Sequence, residues 1–255
     1  MDLFHRRLSV NLNKIALLRN SRRTGVPDLL CFARLAREAG ADGITVHPRP
    51  DERHVRRSDV LALASLMQPW RPSFELNLEG YPDERLLDIA HAVKPEQCTL
   101  VPDSPDAFTS EKGWRLDGQN IAMVTARISV LRQMGCRVIL FVDPDPAYVA
   151  LVPSVRADGI EIYTGDYAAS ARNRDPLRSL TACVDAAQCA LSLGLRVNIG
   201  HDLNLSNLKS LAAALPDFAE ASIGHELTAH ALEIGFKGAV MAYKAALVRA
   251  RCGSR

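Results

Sequence analysis

Gly43-Ile44-Thr45-Val46-His47 is a short apolar run that stops on a titratable side chain. Seven further runs have the same form, and nearly all end on a polar or charged residue. They are Leu8-Ser9-Val10-Asn11, Phe74-Glu75-Leu76-Asn77-Leu78-Glu79, Cys98-Thr99-Leu100-Val101, Val138-Ile139-Leu140-Phe141-Val142-Asp143, Gly159-Ile160-Glu161-Ile162-Tyr163, Arg196-Val197-Asn198-Ile199-Gly200-His201 and Ala221-Ser222-Ile223-Gly224-His225. Runs of this length and composition read as strands, and a helical pattern follows nearly every one. Strands alternating with helices imply a parallel sheet. Eight such units in 255 residues match an α/β (β/α)8 TIM barrel, with residues 1–255 as a single domain. The strand C-terminal ends of that fold converge on one face, where active sites sit. Asn11, His47, Glu79, Asp143, Glu161, His201 and His225 are therefore expected around one pocket.

Helix punctuation supports the alternation. The pattern places a first helix over about 28–39, with Gly40 at its exit, after a long basic loop from Arg19 to Pro27. A second starts with Ser58 as N-cap and stops before Pro69; a third lies between Pro82 and Pro95. Further helices are expected over about 117–134, 145–152, 175–193 and 206–215. A short extra helix, Glu226 to Ile234, follows strand eight, and a last one begins at Phe236. Many barrels bind phosphate at such an extra helix. Ala39-Gly40-Ala41-Asp42-Gly43-Ile44 is echoed by Val155-Arg156-Ala157-Asp158-Gly159-Ile160, as half-barrel repeats require.

A hydrophobic content of 47% and a net charge of +2 describe an ordinary globular protein and give no global argument for nucleic acid. Basic clusters at 6–7, 14–23 and 49–57 read either as solvated surface or as capture of phosphorylated substrates. The six cysteines form no C-x-x-C pair, so they read mostly as buried small hydrophobes of a reduced, cytoplasmic protein. There is no secretory h-region and no apolar run of membrane-spanning length.

Chemistry concentrates at the strand ends. Two strands close as Ile199-Gly200-His201 and Ile223-Gly224-His225. Each glycine either makes a tight turn or lets backbone N–H groups approach an anion; the repeat favours a phosphate cradle flanked by imidazoles. His47 can move protons near neutral pH, and Arg49 and His54 beyond it can hold an anion. Glu79 and Glu161 are carboxylates on strands three and six. Glu161 shares the interior face with Tyr163 and must be paired or protonated there. Glu75 lies nearer the closed bottom. Asp143, before Pro144, suits helix capping as well as chemistry. Asn11, Asn13 and Lys14 end strand one, where asparagine can bind a carbonyl or phosphate, and lysine a phosphate or a Schiff base.

The blocks Val10 to Arg22, Ala39 to His54, Asn77 to Glu79, Leu100 to Pro102, Ile160 to Ala168, Val197 to His201 and Ile223 to His225 resemble, in order and over almost the whole chain, the PdxJ-type pyridoxine 5′-phosphate synthases. The resemblance implies a barrel transferase of vitamin B6 biosynthesis, assembled as a homo-octamer. It implies condensation of 1-deoxy-D-xylulose 5-phosphate with 3-amino-2-oxopropyl phosphate to pyridoxine 5′-phosphate, inorganic phosphate and water, with no metal or organic cofactor. By motif, His47 and Glu79 correspond to general bases and His201 to a general acid, with Glu161 in the active site. Asn11, Arg22, Gly224 and His225 correspond to the amino-ketone phosphate site, and Arg49, His54 and Thr109 to the pentulose phosphate site. Two positions depart from the pattern. Asn13-Lys14 stand where many members have Asp-His at the pentulose phosphate, and Asp202 stands where many have glycine. Asp202 suits capping of the helix that follows and adds negative charge near a phosphate.

Two rival readings remain at this stage. One is a metal-dependent barrel isomerase or aldolase acting on a sugar phosphate, although no H-E-x-x-H spacing occurs. The other is a non-catalytic barrel that binds a phosphorylated ligand, against which the joint presence of His47, Glu79 and His201 argues.

Overall fold

The computed structural model describes residues 6–103, 112–173 and 175–248. Strands β1 (Arg7–Asn11), β2 (Gly43–Val46), β3 (Glu75–Gly80), β4 (Gln97–Leu100), β5 (Arg137–Val142), β6 (Gly159–Tyr163), β7 (Arg196–Gly200) and β8 (Glu220–Ile223) coincide with the eight apolar runs. They pair in parallel and in sequence order, and β8 pairs β1, which closes the barrel. The helices are α1 (Asn13–Asn20), α2 (Leu29–Glu38), α3 (Arg57–Met67), α4 (Glu84–Val93), α5 (Ile121–Gln133), α6 (Pro146–Val149), α7 (Gly165–Arg172), α8 (Leu177–Ser192), α9 (Leu208–Ala214), α10 (His225–Ile234) and α11 (Phe236–Leu247).

Alternation along each strand divides the side chains between two environments. Leu8, Val10, Ile44, Val46, Leu76, Leu78, Ile160, Ile162, Val197 and Ile199 join the helices in one continuous apolar core. Their neighbours fill a polar barrel interior. Thr45 Oγ1 meets Ser9 Oγ at 2.7 Å, Asn77 Nδ2 at 3.2 Å and Ser222 Oγ at 3.2 Å. Thr99 Oγ1 donates to Asn77 Oδ1 at 3.1 Å. Barrel interiors are more often filled by branched apolar residues. Here Ile139 and Phe141 of β5 are buried outside the helix-facing core. At the strand N-terminal ends Glu75 pairs with Arg7 and Arg137. Gln97 there donates to Glu220 at 3.0 Å and accepts from Arg137 at 3.0 Å.

The Asp-Gly echo has a structural cause. Asp42 accepts from the Leu8 amide at 2.7 Å, and its own amide donates to the Leu8 carbonyl at 2.9 Å. Asp158 makes the same two bonds with Val138, both at 2.8 Å. Each aspartate ties the strand it precedes to the strand before. Asp42 also pairs with Lys244 of α11, a helix that packs on β1.

Several helices differ from the sequence reading. α1 occupies part of the expected loop, so Asn13 and Lys14 belong to its first turn and not to strand one. α7 was not expected at all. Both are eight-residue helices whose apolar faces are incomplete; Leu17 and Leu18 of α1 are exposed. α3 starts one residue before Ser58, and Asp59 closes its first turn by accepting from the Arg56 amide at 2.8 Å. α5 starts late because Asp117 to Asn120 form a turn around the Asp117 side chain. α6 is a single turn, followed by a 3-10 turn over Val152–Val155. Cys98, Cys136 and Cys183 are buried as expected, whereas Cys31 is exposed and Cys189 is partly so.

Burial alone would raise the Glu75 pKa, but Arg137 and Arg7 outweigh it and hold the carboxyl below its ordinary value. A depressed folded-state pKa stabilises above the unfolded value of about 4.3, and that contribution is lost as pH falls through the folded value. Glu75→Ala leaves two arginines facing each other and should cost about 3 kcal/mol in urea unfolding at pH 7. The deficit against the parent should shrink toward pH 3. An unchanged unfolding midpoint at pH 7 would contradict the assignment.

Candidate active site

The strand C-terminal ends surround a cavity of about 310 Å³. Asn11, His47, Glu79, Glu161, His201 and His225 all line it, drawn from or just beyond β1, β2, β3, β6, β7 and β8. Asp143 does not. It ends β5 but accepts from the Gly113 amide at 2.8 Å, and Asp145 caps α6 in its place.

The centre is a His47–Glu79 pair, Nδ1 to Oε1 3.3 Å, with both side chains nearly buried. Asn11 Nδ2 donates to the other Glu79 oxygen at 3.4 Å. Asn13 lines the cavity, but its side-chain Oδ1 accepts from the His47 amide at 2.9 Å. That contact makes Asn13 a support for His47. Burial would raise the Glu79 pKa; His47, then His201 and Arg49, reverse this and bring it to about 2. Glu161 is the opposite case. Burial, the Glu79 charge and Glu220 push its pKa well above the carboxylate range. The pKa values of two carboxyls in one cavity are thus pushed in opposite directions, the usual physical basis for separate base and acid roles.

Gly200 makes room for Glu161. A Cβ at position 200 would lie 2.3 Å from Glu161 Oε1. Gly224 sits less tightly against Asn11, where a Cβ would meet the Asn11 Cβ at 3.0 Å. The two Ile-Gly-His ends therefore diverge. Gly224 leads into α10, with His225 in its first turn, and suits an anion at a helix N-terminus. Gly200 is a strand residue, and α9 begins only at Leu208, so no helix N-terminus follows directly there. Asp202 does not cap α9; Asn207 holds the N-cap position and donates to the Asp202 carbonyl at 3.2 Å.

The His201 ring lies against Phe141 and Tyr163, with centroids 4.7 and 5.6 Å away, and burial lowers its pKa. His54 faces His47 at 6.0 Å. Burial first, then His47 and Arg49, lower the His54 pKa to about 4. Arg49 is buried and pairs with Asp103 at 2.6 Å. Lys14 and Asp202 line the cavity too. Arg22 does not; it is exposed in the turn beyond α1. Thr109 lies outside the described residues.

Other contributors escaped the sequence reading. Arg19, read there as one of a run of loop cations, is buried and forms a two-pronged bridge to Asp59 at 2.6 and 2.8 Å. Asn20 donates to the carbonyls of Arg53 and His54 at 3.0 and 2.8 Å. Together they fix the loop that presents Arg49, Arg53 and His54. Their signal was present in the Leu18-Arg19-Asn20 core of the first matching block. Asp103 carried none beyond its place after strand four. Among the described residues no group of three or more His, Cys, Asp and Glu side chains is arranged to hold a metal ion. No helix of the described residues is long and apolar enough to cross a membrane.

A closed parallel barrel with opposed carboxyls, imidazoles and cations at its C-terminal mouth is a (β/α)8-barrel enzyme. The chain belongs to the PdxJ family, described as pyridoxal phosphate biosynthesis protein PdxJ, whose sequence pattern matches residues 8–249. It is 46% identical to a pyridoxine 5′-phosphate synthase of Albidiferax ferrireducens over 96% of this chain and 98% of the relative. It is 47% identical to one of Mesorhizobium japonicum over 92% and 95%. Among solved structures, tryptophan synthase from M. tuberculosis superposes with a TM-score of 0.63 at 14% identity, covering 97% of this chain and 94% of that one. Phosphoribosyl anthranilate isomerase from Thermotoga maritima gives 0.58 at 14%, covering 95% and 98%. These two likenesses concern the fold.

His54 should remain neutral in imidazole NMR spectra down to about pH 4. The unfolded chain takes up that proton near pH 6.5, so stability should fall with pH between those values. A His54 titration centred near 6.5 would show that the ring is not held as described.

Proposed function

We propose that this chain is a pyridoxine 5′-phosphate synthase. It joins 1-deoxy-D-xylulose 5-phosphate to 3-amino-2-oxopropyl phosphate and releases pyridoxine 5′-phosphate, inorganic phosphate and water. The observation that carries the reading is the His47–Glu79 pair in a cavity shared with Glu161 and His201, where the two carboxyl pKa values are pushed in opposite directions. Family membership supplies the substrates and the resemblance carries the homo-octamer, whereas the cysteine usage supports a reduced, cytoplasmic location. No cofactor enters the reading.

The reaction needs a sequence of proton transfers. The amine attacks the pentulose ketone, and water leaves the resulting carbinolamine. A carbon-bound proton is removed, phosphate departs, and ring closure expels water to give the aromatic product. The His47–Glu79 pair takes protons from nitrogen and carbon, with Glu79 ionised and Asn11 steadying its second oxygen. Glu161, whose pKa is raised by burial and by Glu79, is the donor to a departing oxygen. His201, neutral at rest because burial lowers its pKa, gains a proton in one step and returns it in another. Arg49 and His54 hold the pentulose phosphate, and the Gly224–His225 turn holds the amino-ketone phosphate. Lys14 adds positive charge at the mouth. Arg22 is left out of this reading because it lies outside the cavity.

Incubating the purified protein with both substrates and detecting pyridoxine 5′-phosphate by mass spectrometry tests the proposal; absence of turnover would overturn it. His201→Asn should fold normally and lose on the order of 10²-fold in turnover. Lys14→Arg should keep substantial activity, whereas Lys14→Ala should raise KM for the pentulose phosphate with little change in kcat. A borohydride-stable adduct on Lys14 would instead make it a covalent catalyst.

A further inference from the structure

β7 does not pass directly into a helix. The two residues after Gly200, His201 and Asp202, have φ of +78° and +56°. Non-glycine residues resist this left-handed region, so the surrounding structure must hold them there. Thr164 is placed to do so. Its side chain is fully buried, and its hydroxyl lies 2.5 Å from the Gly200 carbonyl oxygen and 2.6 Å from that of His201. Its amide donates to the same Gly200 oxygen at 3.0 Å. Tyr167, one turn along α7, donates from its buried hydroxyl to the Asn207 carbonyl at 2.9 Å. Asn207 reaches back to the Asp202 carbonyl. The start of α7 thus grips both ends of the segment from His201 to Asn207. Neither Thr164 nor Tyr167 lines the cavity.

Backbone φ and ψ set the direction of a Cα–Cβ bond, so the grip decides where the His201 ring points between Phe141 and Tyr163. We infer that Thr164 is a positioning residue for His201, with Tyr167 as the second anchor of the same segment. The inference rests on the reading of His201 as a proton carrier. It accounts for the Thr164–Ala168 block, whose threonine and tyrosine touch loop backbone.

Thr164→Val keeps the shape and removes the hydroxyl. It should lower kcat about 10-fold or more, since a small misplacement of a reacting group is costly, while both KM values stay within about two-fold. Thr164→Ser, which restores the hydroxyl, should recover most of kcat. Wild-type kcat in Thr164→Val overturns the inference, as does a common rise in both KM values, which marks general loosening of the barrel mouth. If Thr164→Val does not fold, Tyr167→Phe takes its place and should give a smaller fall in kcat at unchanged KM; wild-type kcat there is equally fatal. His201→Asn runs alongside. Should it turn over normally, the reading of His201 fails and the positioning role falls with it; should it lose turnover while Thr164→Val does not, only the positioning role fails.

Discussion

Two-residue alternation on a closed ring of parallel strands controls this molecule. Closure leaves no free edge, so every strand residue faces either the helices or the barrel axis. The helix-facing set is uniformly apolar and supplies the burial that drives folding. The axial set is therefore released from core duty. It carries a ring of hydroxyls and amides at mid-height, an ion cluster at one end and titratable side chains at the other. Most of these polar groups are partnered within the barrel, which is the condition under which buried polar groups are tolerated; Asn198 Oδ1 and Arg196 Nε of β7 are the exceptions among the described strand residues.

The contrast between Glu79 and Glu161 follows from the same geometry. Both are axial and deeply buried, so desolvation pushes both pKa values upward. Their neighbours decide the outcome. Glu79 has His47 in contact, with His201 and Arg49 near, and ionises readily. Glu161 has burial and the anionic side of the interior, Glu79 and Glu220, acting on it, and holds its proton more tightly than an ordinary carboxyl. Ionisation of the first reinforces protonation of the second, so the two states are coupled.

Much of this was legible in the chain. Strand runs were visible because outward positions demand Leu, Val and Ile at alternate places, and five of the eight runs ended on a residue that lines the cavity. His47, Glu79, Glu161 and His201 could be placed at one mouth from the fold class alone. What could not be read were features decided by through-space geometry. α1 and α7 are short and incompletely apolar, so their periodicity is weak, and Lys14 and Asn13 were assigned to the strand before them. The twin Ile-Gly-His ends look alike in sequence, yet one glycine clears space for a carboxyl across β6 and β7 while the other opens a helix. Arg19 and Arg22 are equivalent charges in a basic run; which of them turns inward depends on Asp59, forty residues away.

The contact between Lys244 and Asp42 ties the last described helix to the turn entering the second strand, next to the seam where β8 meets β1. A chain leaving the ribosome can form the Asp42 and Asp158 locks early, because each joins strands adjacent in sequence. The seam cannot close until residues beyond 220 have emerged, and α11 seals it later still. Gly224 and His225 of the cavity directly follow β8. The set of pocket-lining residues is thus incomplete until residue 225 has emerged, and a nascent chain stalled before it carries most of the barrel without a finished site.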